Sequence, residues 1–67
     1  MELENRLKEV LEEKNMTQKE LSIRTGLTEG TISRYVNHKR KISFKNVYII
    51  ARCLGIELIE LIDLGKR

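Results

Sequence analysis

The chain has 67 residues, of which 40% are hydrophobic and 34% are charged, and its formal net charge is +3. This length allows one domain with a single small core, and it leaves little room for a deep substrate cleft. The single cysteine excludes an internal disulfide, and one cysteine with one histidine disfavour a zinc site. We therefore expect no metal, no cofactor and no small-molecule ligand.

The sequence contains no apolar run of the roughly 18 residues that a membrane span needs. The acidic start MELENRLKEV does not resemble a signal peptide. We expect one domain over residues 1–67 that works in the cytoplasm without contacting a membrane.

Positive charge is concentrated in the middle of the chain. Residues 1–16 hold three basic and five acidic groups, for a net charge of −2. Residues 17–46 hold seven basic and two acidic groups, for +5, and residues 47–67 hold three of each. Such clustering is typical of a protein that meets a polyanion with one face.

Apolar spacing predicts helices. A first helix is predicted near 2–14, because apolar residues recur there at i, i+4, i+7 and i+8, namely Leu3, Leu7, Val10 and Leu11. No run alternates with period two for long enough to suggest a sheet.

The next three helix starts share a capping pattern. A Ser or Thr stands at each N-cap. One apolar residue directly precedes the cap and a second apolar residue follows it by four positions, as in a hydrophobic staple. The caps Thr17, Thr28 and Ser43 predict helices near 18–25, 29–36 and 44–54.

Two further signals complete the helix assignment. Glu20 is placed to complete a capping box with Thr17, and Gly55 is suited to a left-handed residue that ends the fourth helix. A last short helix is predicted near 58–63. The fold class is therefore all-α, a compact bundle of five short helices.

The second and third helices are joined by a short turn around Gly26, which can take positive φ and let the helices cross steeply. Leu21, Leu27 and Ile32 would face a common core, and Ser22 is small enough for close helix approach. This is the arrangement of a helix-turn-helix, whose second helix enters the DNA major groove. A generic helix hairpin has the same glycine and apolar spacing and remains an alternative.

Many residues resemble the phage-repressor/Cro-like (XRE) family in register. They are Thr17-Gln18, Leu21, Gly26-Leu27, Ile32-Ser33-Arg34-Tyr35, Asn37, Arg40, Ser43, Ile50-Ala51, Leu54-Gly55, Leu58 and Leu61. The resemblance covers about residues 3–62. It implies a lambda-repressor-like DNA-binding domain with its motif at about 18–37, which binds operator DNA, usually as a dimer, and regulates transcription in bacteria or phage.

The chain departs from the family pattern at four positions. The family usually has Ala at Ser22, commonly Gly at His38, and often Pro at Ile42. At Gly30 it often has a base-reading side chain. Gly30 is either a neutral surface residue that costs the helix about 1 kcal/mol relative to alanine, or a place where the backbone approaches DNA closely. We favour the first interpretation.

Base reading requires side chains at the start and outer face of the third helix. The candidates are Thr28, Glu29, Thr31, Ser33 and Arg34. The Arg34 guanidinium matches guanine O6 and N7, and its alternative is a phosphate clamp. Glu29 could instead act as a favourable charge at the helix N-terminus, and Thr28 as the helix cap.

Phosphate contacts are expected from two places that flank the groove. Backbone N–H groups at the start of the second helix favour an anion, and the resemblance implies a phosphate contact there at Gln18. A basic loop follows the third helix, and its alternative is a merely solvated loop. The candidates are Gln18, Lys19, Asn37, Lys39, Arg40, Lys41 and Ser43.

Large apolar side chains outside the predicted core often mark an interface. We expect a homodimer patch of Tyr48, Ile49 and Ile59, with Ile62 or Leu64 beside them. The alternative is an enlarged edge of the core. Cys53 is expected to be a small, partly buried hydrophobe.

These features together predict a sequence-specific regulator of transcription that binds double-stranded DNA, a repressor, with a pseudo-palindromic operator. The alternative is a protein-interaction module of antitoxin type. An enzyme is not expected, because Ser33 and His38 are the sole candidates for a nucleophile and base, and nothing supplies an oxyanion hole.

Overall fold

Three of the helices begin at side-chain caps in the computed structural model, which describes residues 4–63. The hydroxyls of Thr17, Thr28 and Ser43 each accept a hydrogen bond from the backbone N–H three residues later, at 3.0, 3.1 and 3.1 Å. Each cap residue has extended backbone and satisfies one N–H group that the first helical turn leaves free. The three predicted caps are confirmed.

Five helices and two very short strands make up the described part of the chain. In order they are β1 (Glu4–Asn5), α1 (Leu7–Glu13), α2 (Gln18–Thr25), α3 (Glu29–Val36), α4 (Phe44–Leu54), α5 (Leu58–Leu61) and β2 (Ile62–Asp63). The all-α class with five helices is confirmed, and α2, α3 and α4 have the predicted limits. Helix α2 packs against α3 and α4, α5 packs against α4, and α1 packs against α3.

The start of the first helix was predicted too early, because the segment before it forms part of a strand pair. β1 pairs antiparallel with β2, so that residue 4 lies opposite 63 and Asn5 opposite Ile62. The Arg6 N–H then donates to the Leu61 carbonyl at 2.7 Å. Extended pairing therefore replaces helix before Leu7, and Leu3 lies outside the described residues.

The same pairing shortens the last helix. It was predicted near 58–63 and ends at Leu61, because Ile62 has extended backbone and belongs to β2. Residues more than 50 positions apart therefore join the two ends of the described chain, and α1 and α5 are held near one another.

One apolar core lies between the helices. Its buried members, from all five helices, are Leu7, Val10, Leu11, Leu21, Ile32, Tyr35, Val36, Val47, Ile50, Ala51, Leu54 and Leu61. The residues before the three caps, Met16, Leu27 and Ile42, are half-buried and pack against it, as the staple pattern predicts. Leu27 thus lies at the edge of the core that it was expected to share with Leu21.

Tyr35 is the largest fully buried side chain among the described residues, and it lies on the same face of α3 as Ile32, three positions earlier. Its hydroxyl accepts a hydrogen bond from Asn46 Nδ2 at 2.8 Å, which links α3 to the first turn of α4. Its carbonyl accepts from Asn5 Nδ2 at 3.1 Å. Tyr35 therefore joins the strand pair, α3 and α4 at one point.

Candidate nucleic-acid interface

The turn between α2 and α3 is fixed by one glycine and two hydroxyl side chains. Gly26 ends α2 with φ +81°, in the left-handed region as predicted. The Thr25 hydroxyl donates to the Leu21 carbonyl at 2.8 Å and accepts from the Leu27 N–H at 3.2 Å. The Ser22 hydroxyl donates to the Leu27 carbonyl, so both polar backbone groups of Leu27 are satisfied from within the turn.

The sequence reasoning missed the bonding role of these two hydroxyls. Ser22 was considered for its size alone, although a hydroxyl on the last turns of a helix can bond nearby backbone groups. The two hydrogen bonds to Leu27, from Ser22 and Thr25, fix the turn and with it the direction of α3 relative to α2.

The first turn of α3 carries a pair of hydroxyl groups. Thr28 Oγ1 accepts from the Thr31 N–H at 3.1 Å and donates to Thr31 Oγ1 at 2.9 Å. Thr28 and Glu29 are exposed, and Thr31 is half-buried. The structure thus holds two predicted base-reading hydroxyls in a defined place at the start of the helix, beside the Glu29 carboxylate.

Arg34 lies on the exposed side of α3. Within residues 4–63 its guanidinium has neither a hydrogen-bond acceptor nor a salt bridge. Ser33, in contrast, is half-buried, and its carbonyl and hydroxyl oxygens accept from Asn37 Nδ2 at 3.0 and 3.3 Å. The Asn37 amide is therefore turned back onto α3, while the donors of Arg34 remain free.

The basic loop, residues 38–41, leaves α3 through a residue with positive φ. His38 has φ +58°, a conformation that histidine adopts more readily than branched residues do. Its N–H donates to the Tyr35 carbonyl at 3.1 Å, and the Lys39 N–H donates to the Arg34 carbonyl at 2.8 Å. These bonds fix where the basic loop begins.

The cations of the basic loop are exposed. Lys39, Arg40 and Lys41 form no salt bridge within the described part of the chain. Ser43 follows them and uses its hydroxyl to cap α4. The loop therefore presents three unneutralised charges immediately after α3.

The start of α2 carries the other predicted phosphate contacts. Gln18 is half-buried and Lys19 is exposed. The predicted capping box is half right, because the Thr17 hydroxyl caps Glu20 N–H, but the Glu20 carboxylate pairs with Arg24 Nη2 at 3.0 Å. That salt bridge neutralises the nearest acid to the helix start.

The predicted interface residues thus fall on three segments of the chain. All five base-reading candidates lie on or at the cap of α3. One set of phosphate candidates follows α3 directly, and the other lies at the start of α2, which packs against α3.

The apolar patch, defined as Tyr48, Ile49, Ile59 and Ile62, lies on α4, α5 and β2. Tyr48 is 47% exposed and Ile59 65% exposed, whereas Ile49 and Ile62 are half-buried. Leu64, the further candidate, lies outside the described residues.

Tyr48 also has a cationic neighbour. Arg52 Nη1 donates to the Tyr48 hydroxyl at 3.1 Å, and this hydrogen bond raises the pKa of Arg52. The guanidinium lies 5.7 Å from the ring centroid. The patch is therefore bordered by a fixed positive charge.

The exposure of two further apolar side chains was not predicted from the sequence. Phe44, the first residue of α4, is 73% exposed, and Ile23 on α2 is 74% exposed. Helical spacing gave no signal for Phe44, because it stands three positions before the buried Val47.

The remaining residues with possible chemistry are dispersed. Cys53 is half-buried, as predicted, and its thiol donates to the Arg24 carbonyl at 3.4 Å. No group of three or more potential metal ligands occurs within residues 4–63. No helix in this range is long and apolar enough to cross a membrane.

Comparisons with known proteins agree on the type of fold. A model of the helix-turn-helix family matches residues 7–61. A crystal structure of a candidate DNA-binding protein from Bacteroides fragilis is similar, with 34% identity and a TM-score of 0.86 over 92% of this chain and all of that one. A comparison with proteins of curated function finds no match.

Proposed function

The chain belongs to the helix-turn-helix family of XRE type, and from this premise we propose that it is a sequence-specific regulator of transcription that binds double-stranded DNA. Helix α3 lies in the major groove and reads bases. The protein acts as a repressor in the cytoplasm of a bacterium or of a phage-infected cell. It needs no cofactor for this role.

The observation that carries this proposal is the free positive charge around α3. The Arg34 guanidinium and the cations of the basic loop have no acidic partner within residues 4–63. Four cations without acidic partners in this range, all within eight consecutive residues, 34–41, favour a polyanion. The similar protein from Bacteroides fragilis, which is described as a candidate DNA-binding protein, supports the same function.

Base reading is assigned to the first turn and outer face of α3. The residues are Thr28, Glu29, Thr31, Ser33 and Arg34. Arg34 is best suited to guanine, because its donors are free and a guanidinium can donate to O6 and N7 together. Ser33 contributes less, since its oxygens already accept from Asn37.

Phosphate binding is assigned to both sides of α3. The residues are Gln18, Lys19, Asn37, Lys39, Arg40, Lys41 and Ser43. These contacts fix the orientation of the protein on DNA without reading sequence, and they give an affinity that falls as salt rises.

The regulator works as a homodimer on a pseudo-palindromic operator. Two copies meet through the apolar patch, which Arg52 borders through its hydrogen bond to Tyr48. The patch belongs to the stretch of the chain with no net charge, so two copies approach there without the repulsion of their DNA-binding faces. A dimer would place its two α3 helices about one DNA turn, or 34–36 Å, apart.

The deciding experiment is selection of binding sites from a random pool of duplexes, followed by binding of the selected site over a salt series. We expect a defined motif with two half-sites, and an affinity that falls steeply with salt. Absence of duplex binding even at low salt would contradict the proposal. It would leave the antitoxin-type interaction module, which has no need for charges around α3.

A further inference from the structure

Gly30, the second residue of α3, lies beneath the Arg34 side chain. A Cβ atom at position 30 would be 3.9 Å from Arg34 Nη1 and 3.9 Å from Thr28 Oγ1. Helical side chains lean toward the N-terminus and cover the residue four positions earlier. The Arg34 side chain therefore lies back over Gly30, in the first turn of α3.

Neither backbone conformation nor packing explains glycine at this position. Gly26 and Gly55 have positive φ, but Gly30 does not. A Cβ atom would make ordinary contacts there, so alanine would fit. Glycine lowers helix stability relative to alanine, and the fold gains nothing from it in return.

A side chain longer than alanine would behave differently. Its atoms beyond Cβ would extend further into the region that borders Arg34 Nη1 and Thr28 Oγ1. Arg34 would then have to turn away from the first turn. Since its guanidinium has no other protein partner within residues 4–63, nothing else would hold it near the start of α3.

We propose that Gly30 is a positioning residue for base recognition, because its missing side chain lets Arg34 lie over the first turn of α3. From there the guanidinium and the Thr28 hydroxyl face the same base pair, and Arg34 donates to guanine O6 and N7. This inference rests on the proposed DNA-binding function and extends it by naming what directs the arginine.

The test compares Gly30→Leu with Gly30→Ala, together with Arg34→Ala and the double variant Gly30→Leu/Arg34→Ala. Binding is measured for the selected site and for duplexes changed at one base pair at a time. We expect Gly30→Leu to lose about tenfold discrimination at the base pair where Arg34→Ala loses it. The double variant should lose no more there, and Gly30→Ala should keep the discrimination.

The outcomes separate this inference from the function on which it rests. Discrimination that Arg34→Ala loses but Gly30→Leu keeps would overturn the inference alone, as would additive losses in the double variant. A wild-type chain without any sequence preference would overturn the proposed function and the inference together. Circular dichroism checks that each variant is folded, and Gly30→Gln, with a side chain of similar length, repeats the test if Gly30→Leu unfolds.

Discussion

Arg24 and Arg34 carry the same group on adjacent helices in different surroundings. Arg24 is held by Glu20, whereas Arg34 has no partner within residues 4–63. We expect Arg34→Ala to relax base preference at one or two positions of the selected site, because a bidentate contact to guanine is worth about 1–3 kcal/mol. Selection from random duplexes measures this change in base preference, with Arg24→Ala as the control. An unchanged motif in Arg34→Ala would make the residue a phosphate clamp.

The buried tyrosine offers a second test at this scale. Tyr35→Phe removes the acceptor of the Asn46 amide and leaves the ring in the core. We expect the free energy of unfolding to fall by about 1 kcal/mol, the usual net value of one such hydrogen bond. Urea denaturation followed by circular dichroism measures it. Tyr48→Phe is the control, because the Tyr48 hydroxyl bonds Arg52 at the surface, and an equal loss there would contradict the expectation.

At the scale of helices and turns, replacing three glycines by alanine should change the free energy of unfolding in different directions. Gly26 and Gly55 have φ +81° and +70° with open space around a would-be Cβ. Alanine at either should lower the free energy of unfolding by about 1–2 kcal/mol, from backbone strain alone. Gly30→Ala should raise it by about 1 kcal/mol, because Gly30 is within a helix. Urea denaturation of the three variants measures these changes. A lower free energy of unfolding in Gly30→Ala would contradict the expectation and show an unrecognised constraint at this position.

The basic loop is the next unit to test. Replacing Lys39 and Arg40 by alanine should weaken binding to every duplex alike, since phosphate contacts carry no sequence information. The slope of log affinity against log salt should flatten by about 1.8, because each contact contributes about 0.9. Lys8→Ala/Lys14→Ala removes the same charge from the acidic first third and should change the slope little. An unchanged slope in the loop variant would mean that the loop is only solvated.

The sequence predicted those elements whose signals are local. A cap and its apolar neighbours lie within six residues of each other, so the starts of α2, α3 and α4 could be predicted from short windows. The pairing of β1 with β2 joins residues 5 and 62, and no local sequence pattern predicts it. The hydrogen bond from Asn46 to the Tyr35 hydroxyl is non-local in the same way, because Asn46 lies beyond the basic loop.

The candidate interface was predictable in its residue types but not in its geometry. The cluster of basic residues and the turn at Gly26 could be read directly from the sequence. The pairing of Thr28 with Thr31 and the return of Asn37 onto Ser33 depend on side-chain conformation. The placement of Arg34 over Gly30 also depends on side-chain conformation, and it is the basis of the role proposed for that glycine.

At the scale of the whole molecule, the candidate DNA contacts and the apolar patch lie mostly on different elements. The phosphate-contact candidates follow α3 and lie at the start of α2, whereas the apolar patch lies on α4, α5 and β2. The proposed DNA contact and the proposed dimer contact would therefore use different elements of the chain. Because β2 is held by β1, the patch is tied to the start of α1 as well.

This division predicts that dimerisation can be removed without removing DNA contact. Ile59→Lys places a charge in the apolar patch, and a two-fold contact would bring two such charges together. We expect a monomer by sedimentation over a concentration series, unchanged affinity for a single half-site and lost cooperativity on two. Ile23→Lys is the matched control, since Ile23 is similarly exposed, at 74% against 65% for Ile59, but lies on α2. A cooperative Ile59→Lys variant, or a wild-type chain that binds two half-sites independently, would contradict a dimer built on this patch.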